Sequence, residues 1–343
     1  MSALLQPDPL PAPAPTKQGY WRLVARQFRK RRMSVAALAL LIGLAFVAIL
    51  APLLAGGKPI HLQKDGKTYW FPNFLKYDDL VLFDFARWQP GPNDSAVWPL
   101  VPFSPDASNL QKRLNPPDRA NWLGTDDRGR DILSRVVWGT RISMSVGFVA
   151  EGIAVVIGAA LGALAGFYGK RVDTIIMRVI EIVMLFPVFV LVITLISLFQ
   201  PSIWNIMIVL GLTGWTGIAR LVRGEMLKLR SSEFALAARA SGLGDGRIIF
   251  RHLLPNALSP VLVSATFGVA GAILVESALS FLGFGVPPPT ASWGEILSQS
   301  KLYLHRGAWW LVLFPGFAIF ITVTAFNLVG AGLRDAMDPR LRE

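Results

Sequence analysis

Three carboxylates, Asp126, Asp127 and Asp131, lie close enough along the chain to hold a divalent cation through oxygen ligands. Arg128 and Arg130 sit among them and would neutralise such a site, so the run reads as a salt-bridged external structure. Three further acids, Glu151, Glu181 and Glu276, fall in or beside apolar stretches. An ionisable group at such a place marks a transport pathway or a structural pair. Glu276 either pairs with Arg141 or faces a pathway. The three histidines, His61, His252 and His305, are far apart, no H-E-x-x-H run occurs and cysteine is absent, which excludes thiolate and paired-histidine metal chemistry. No residue is assigned a catalytic or metal-binding role. No G-x-x-x-x-G-K-[ST] run is present either: Gly169-Lys170 is followed by Arg171, and no strand precedes Gly242-x-Gly244. The chain is expected to bind no cofactor of its own.

The elements that position these groups are apolar. Of 343 residues, 53% are hydrophobic and 16% charged, against about 25% charged in soluble chains. A hydrocarbon core of about 30 Å needs about 20 helical residues. Charge-free stretches at 33–57, 182–219 and 307–333, and stretches at 142–169 and 253–294 with one acid each, predict about six spans. The Gln200-Pro201-Ser202 break divides the longest in two; the first half starts near Asp173 and is kinked at Pro187. The fifth span should end near Gly283 and Gly285. Trp309 and Trp310 open the sixth at the depth of an aromatic belt. The first apolar stretch is too long for a signal-peptide core and reads as an uncleaved anchor. Gly158, Gly162 and Gly166 share one face of the second span, and ordinary packing against a neighbouring helix explains them.

The formal charge of +12 is topological. Lys and Arg crowd the amino-terminal tail, 168–173, 220–258 and the carboxyl tail, which places both termini in the cytoplasm of a multi-pass inner-membrane protein. Nucleic acid is not needed to explain the charge. The expected organisation is a cytoplasmic tail at 1–32, Pro-rich and unstructured over 1–16, a first transmembrane helix at 33–55, a periplasmic insertion at 56–135 and a core of five helices at 136–343. The insertion is either a small subdomain, with short strands such as 67–71, or a lid.

The loop 223–258 is far longer than the 2–8 residues usual between bundle helices. Ser232 is placed to cap a helix over 233–240, which Gly242 and Gly244 end. Asp245 is placed to cap a second, from Gly246 to about Leu254, where Pro255 follows. Such a knob suits docking into a groove on a partner; an amphipathic pair lying on the membrane surface is the alternative.

Ala237-Ala238, Gly242 and Leu254-Pro255 resemble the "EAA" loop of ABC importer permeases. The Glu of that motif is Leu236 here, so the carry-over omits the acid. The run from Trp122 to Asp131 and on to Ser143, the runs Arg251 to Asn256 and Glu276 to Gly283, and Asn327 to Arg340 are similar to the "C" subunits of oligopeptide and dipeptide permeases. Asp65 to Pro72 looks like the microcin C/peptide permease subgroup. The resemblance implies an all-α membrane fold of the type I ABC importer permease class with an insertion after the first helix. It implies half of a translocation pore for di- or oligopeptides, or modified peptides of the microcin C type. The partners it implies are a second permease subunit, two cytoplasmic ATPases that carry ATP and Mg, and a periplasmic peptide-binding protein. Leu236, Ala237, Ala238, Arg239, Gly242, His252, Leu254 and Pro255 are the expected ATPase-coupling residues, and the chain is expected to be no enzyme itself.

Overall fold

The computed structural model describes residues 20–338 apart from 82, 86, 87 and 89. The proline-rich stretch 1–16 and the run from Pro339 onward lie outside the described residues. Helix α1 (Tyr20–Lys30) precedes α2 (Arg32–Ile49), which is the first span, and a final turn, α3 (Ala51–Leu54), completes its far end. α1 is a helix that charge alone did not suggest: its apolar Val24 and Phe28, four residues apart, are buried in the core that lines the last span.

The insertion folds as a small subdomain. Strands β1 (His61–Lys64), β2 (Lys67–Trp70) and β3 (Ser95–Val97) form an antiparallel sheet in the order β2-β1-β3. Asp65 and Gly66, both with positive φ, close the β1–β2 hairpin. Leu62, Tyr69, Leu80 and Phe85 make its small core.

The remaining spans fall on the charge-poor stretches, but two begin before them. α4 (Ile132–Tyr168) is one continuous helix of 37 residues that starts ten residues ahead of 142, with Arg135 and Arg141 in its first turns. α5 (Lys170–Leu185), which carries five charged residues ahead of 182, and α6 (Val188–Ser197) are separated at Phe186-Pro187 by an 83° bend. The expected kink is therefore a full break, because proline removes one backbone donor and its ring crowds the preceding turn. α7 (Ile203–Leu229) begins at Ser202, whose hydroxyl accepts from the Trp204 N–H. The 230–258 loop contains α8 (Glu233–Ala240), the short turns α9 (Asp245–Arg247) and α10 (Leu254–Ala257), and a π-helical segment, Ile248–Leu253, between them. α11 (Ser259–Leu282) stops at Gly283, which is left-handed. α12 (Trp293–Tyr303) lies across the insertion end of the bundle, and α13 (Trp310–Met337) is the last span. Among the described residues, five helices are long and apolar enough to cross a membrane, six if the bent pair counts as one span.

α4 is the central helix. Side chains added at Gly158, Gly162 and Gly166 would collide with Ile218, Val222 and Met226 of α7 and with its backbone carbonyls. The three glycines let two spans touch backbone to backbone within one chain, as expected of ordinary packing. The two tryptophans before α13 divide: Trp309 is exposed, whereas Trp310 is buried and its indole donates to the Thr125 carbonyl at 3.0 Å. Only one of them is available to an aromatic belt.

Candidate functional site

The loop 230–258 is built from a helix stop and a ladder slip. α8 begins where expected, but Ser232 does not cap it through its side chain; the hydroxyl donates backward to the Leu229 carbonyl at 2.6 Å. Its end is a Schellman turn: the Leu243 N–H returns to the Ala238 carbonyl and the Gly242 N–H to that of Arg239, with Gly242 at φ +74°. The position before α9 is occupied by Gly244, with Asp245 as the first helical residue, so Asp245 is not the cap. Pro255 does not end the second helix. The ladder widens to π before it, with the Leu254 N–H reaching back to Ile249, and the chain winds on through Pro255 into α10.

One face of this knob is anchored. Ala235, Ile248, Ile249, Leu253 and Ala257 are buried with Ala159, Ala163 and Phe167 of α4 and Ile218, Val222 and Met226 of α7. The Arg239 guanidinium lies 4.8 Å from the centre of the Phe167 ring. Arg230 donates to the Gly166 carbonyl at 3.2 Å, closing the end of α4 where its dipole is negative. Asp173 of α5 is bound by Arg223 of α7, with Nη2 to Oδ2 at 2.6 Å. The other face stands free: Leu236, Ala237, Arg239, Ala240 and Gly242 are exposed, whereas Ala238, His252 and Leu254 are half-buried. A shallow groove of about 530 Å³ opens beside it, lined by Phe167, Tyr168, Arg230, Leu236, Arg239 and Asp245. Of the eight residues singled out from the sequence, Leu236, Ala237, Arg239, Gly242 and Pro255 are at this free surface, Ala238 and Leu254 pack on the seated face, and His252 is half-buried.

At the opposite end of the bundle, Asp126, Arg130, Arg135 and Glu295 form a buried ionic network. Asp126 accepts from Arg130 Nε at 2.6 Å, and Arg135 Nε lies 3.6 Å from the same carboxylate. Arg135 also pairs with Glu295 of α12. Asp131 caps α4 by accepting from the Ser134 N–H at 2.7 Å and from Asn121 Nδ2 at 2.8 Å. Burial pushes the Asp131 carboxyl above its ordinary range, against the pull of those two donors. Asp126 and Asp131 are thus spent on arginines and helix capping, whereas Asp127 accepts a long bond, from the Tyr303 hydroxyl at 3.4 Å. Glu295 escaped the sequence reading, although Ser292-x-x-Glu295 is a capping-box spacing; the Glu295 N–H does donate to the Ser292 hydroxyl at 3.1 Å.

The acids of the spans have separate fates. Glu276 is fully buried where α4, α11 and α12 meet. It accepts from Ser280 at 2.8 Å and from Ser143 at 3.4 Å, and Ser143 also receives the Trp293 N–H. The expected pairing with Arg141 is not formed: Arg141 is exposed on α4, and hydroxyls rather than a cation surround the carboxylate. Glu151 lies against Gly268 of α11, where any side chain would overlap its carboxylate. Glu181 pairs with Arg178 at 2.7 Å on the exposed face of α5.

A shared bundle with a long seated loop is a geometry that sequence comparison can place. Residues 158–343 match the model of the "binding-protein-dependent transport system inner membrane component" family. The chain belongs to this family. Residues 19–70 match a second model, the "N-terminal TM domain of oligopeptide transport permease C". The chain is 36% identical to the dipeptide transport system permease protein DppC of Alkalihalophilus pseudofirmus across 99% of its own length and 97% of that protein. It is 42% identical to the oligopeptide transport system permease protein OppC of Bacillus subtilis across 69% of its length and 77% of that protein. As a member of the family it is a membrane-embedded permease subunit of the ABC transporter class.

Proposed function

We propose that this permease imports peptides, forming half of a translocation pore with a second permease subunit. One of two cytoplasmic ATPase subunits docks on loop 223–258, the other on the second permease subunit, and a peptide-binding protein delivers cargo to the face carrying the insertion. ATP and Mg are handled on the ATPases. Both termini are cytoplasmic. The observation that carries this reading is the two-sidedness of the loop: its inner face is packed into α4 and α7, and its outer face is free. A push on Leu236 to Ala240 therefore reaches two spans without passing through flexible chain. The relatives named as dipeptide and oligopeptide permeases support the cargo class. Exposed Leu236, in place of the motif's acid, calls for an apolar rather than a basic contact on the ATPase.

The test is reconstitution of the chain with its partner permease, ATPases and binding protein in proteoliposomes. Uptake of di- and oligopeptides should require ATP and every subunit. Uptake by the chain alone, or uptake without nucleotide, would overturn the reading.

A further inference from the structure

Two stretches of the insertion are fastened to the far end of the first span. Asn73 Nδ2 donates to the Pro52 carbonyl at 2.8 Å. The Val101 N–H donates to Leu54 at 2.9 Å, and the Gly56 N–H returns to Val101 at 3.0 Å. Pro52 and Leu54 belong to α3, the turn that completes the span, so these bonds hold residues 71–75 and 99–101 beside the end of that span. Trp138 of α4 marks the same level, its indole donating to the Ala55 carbonyl at 2.8 Å.

At that level the subdomain turns large apolar side chains outward. Phe71 is 44% exposed, Phe74 50%, Leu75 54%, Trp70 59% and Leu100 67%. A single helical turn presents three of them, since the Phe74 and Leu75 N–H groups both donate to the Phe71 carbonyl. They are surplus to the subdomain's own core of Leu62, Tyr69, Leu80 and Phe85. Lys58 and Lys76 flank them, sharing a small groove of about 180 Å³ with Pro72 and Leu75. An outward-facing apolar cluster of this kind marks a contact site.

We propose that this turn is a membrane anchor. Phe71, Phe74, Leu75 and Leu100 enter the tops of the acyl chains, Trp70 lies at the interface, and the two lysines meet lipid phosphates. Lipid is the occupant because the patch is tied directly to the end of a span, through Asn73 to Pro52 and Val101 to Leu54, and Ile49 and Leu50, the residues just before α3, are themselves exposed at 66% and 38%. A soluble partner would have to displace the lipid around them to reach it. Aromatic and basic side chains at this depth are the usual interfacial set. The anchor would hold the sheet at a fixed tilt beside the pore mouth. This inference depends on the chain spanning a membrane and not on what it carries.

The chain has no cysteine, so one introduced thiol reports one place. Phe74→Cys and Ser95→Cys, the second exposed at the far end of the sheet, are each labelled with a small fluorophore in the full-length chain in nanodiscs. Lipids brominated near the headgroup should quench the Phe74→Cys label at least about twofold more than the Ser95→Cys label, as expected of an interfacial side chain. Equal quenching at the two positions would overturn the proposal. So would a Phe74→Cys label that soluble iodide reaches freely until a peptide-binding protein is added, since that makes the patch a protein dock.

Discussion

The guanidinium of Arg239 sits 4.8 Å above the ring of Phe167, joining the free face of α8 to the buried end of α4. The contact is half in water, so it contributes about 0.5–1 kcal/mol, but its position makes it a joint. Arg239→Ala should lower ATP-driven uptake several-fold while the amount of chain in the membrane is unchanged. Arg239→Lys keeps the charge but not the planar stack, and should fall between. Equal uptake by all three proteins would remove Arg239 from the transmission.

Gly242 closes α8 at φ +74°, and a Cβ placed on it would meet no atom within 4 Å. Space is therefore not the constraint; conformation is. Gly242→Val should strain the turn by about 1–2 kcal/mol and uncouple ATP hydrolysis from uptake without preventing insertion. Gly242→Asp and Gly242→Asn, whose side chains tolerate the left-handed region better, should be milder. Comparing the ratio of ATP hydrolysed to peptide imported across the series checks this order.

Asp126 is shared by Arg130 and Arg135 in a site closed to water. Asp126→Asn leaves two buried guanidinium groups with one carboxylate, Glu295, between them. Breaking a buried pair from one side costs about 3–5 kcal/mol. The purified variant should melt well below the parent, and little of it should accumulate. A melting temperature within a degree or two of the parent would mean that water reaches the network.

Glu276 accepts only from hydroxyls, so its charge is not what its neighbours require. Glu276→Gln preserves the volume and one acceptor oxygen and should leave the level of the chain nearly unchanged. Glu276→Leu strands Ser143 and Ser280 and should cost about 1–3 kcal/mol. Thermal melting in detergent separates the two. If Gln were as damaging as Leu, the carboxylate itself would be the working group and uptake assays would have to follow.

Reporter fusions give the orientation. A fusion after residue 100 should be active outside the cytoplasm and one after residue 245 inside it. The reverse pattern would invert the proposed arrangement of partners.

The spans were legible in the sequence because a bilayer forbids charge over about 20 residues, and that rule is local. The loop was legible for a related reason: Gly242 is needed by a turn that only a few residue types can adopt. What could not be read was long-range. Ser143 and Glu276 are 133 positions apart, and nothing in either neighbourhood announces that serines, not Arg141, complete the site. Arg135 and Glu295 are 160 apart. Pro187 signalled a disturbance, but how far α5 and α6 diverge depends on what each packs against. The small sheet was half hidden because strands of three and four residues scarcely show an alternating pattern. α1 was hidden because its charges also serve as a topology signal, which masks the spacing of Val24 and Phe28.

α4 runs unbroken from its cap at Asp131 to Phe167 beneath the loop, about 55 Å at 1.5 Å per residue. Its glycine-lined contact with α7 leaves no soft layer of side chains between the two helices. Such a pair behaves as a stiff shaft: a displacement imposed at one end is returned as tilt at the other, where the ionic cluster of Asp126 and Arg135 stands. Opening and closing at the two mouths of the pore would then be one motion seen from opposite ends, with no separate signal needed to keep them in step.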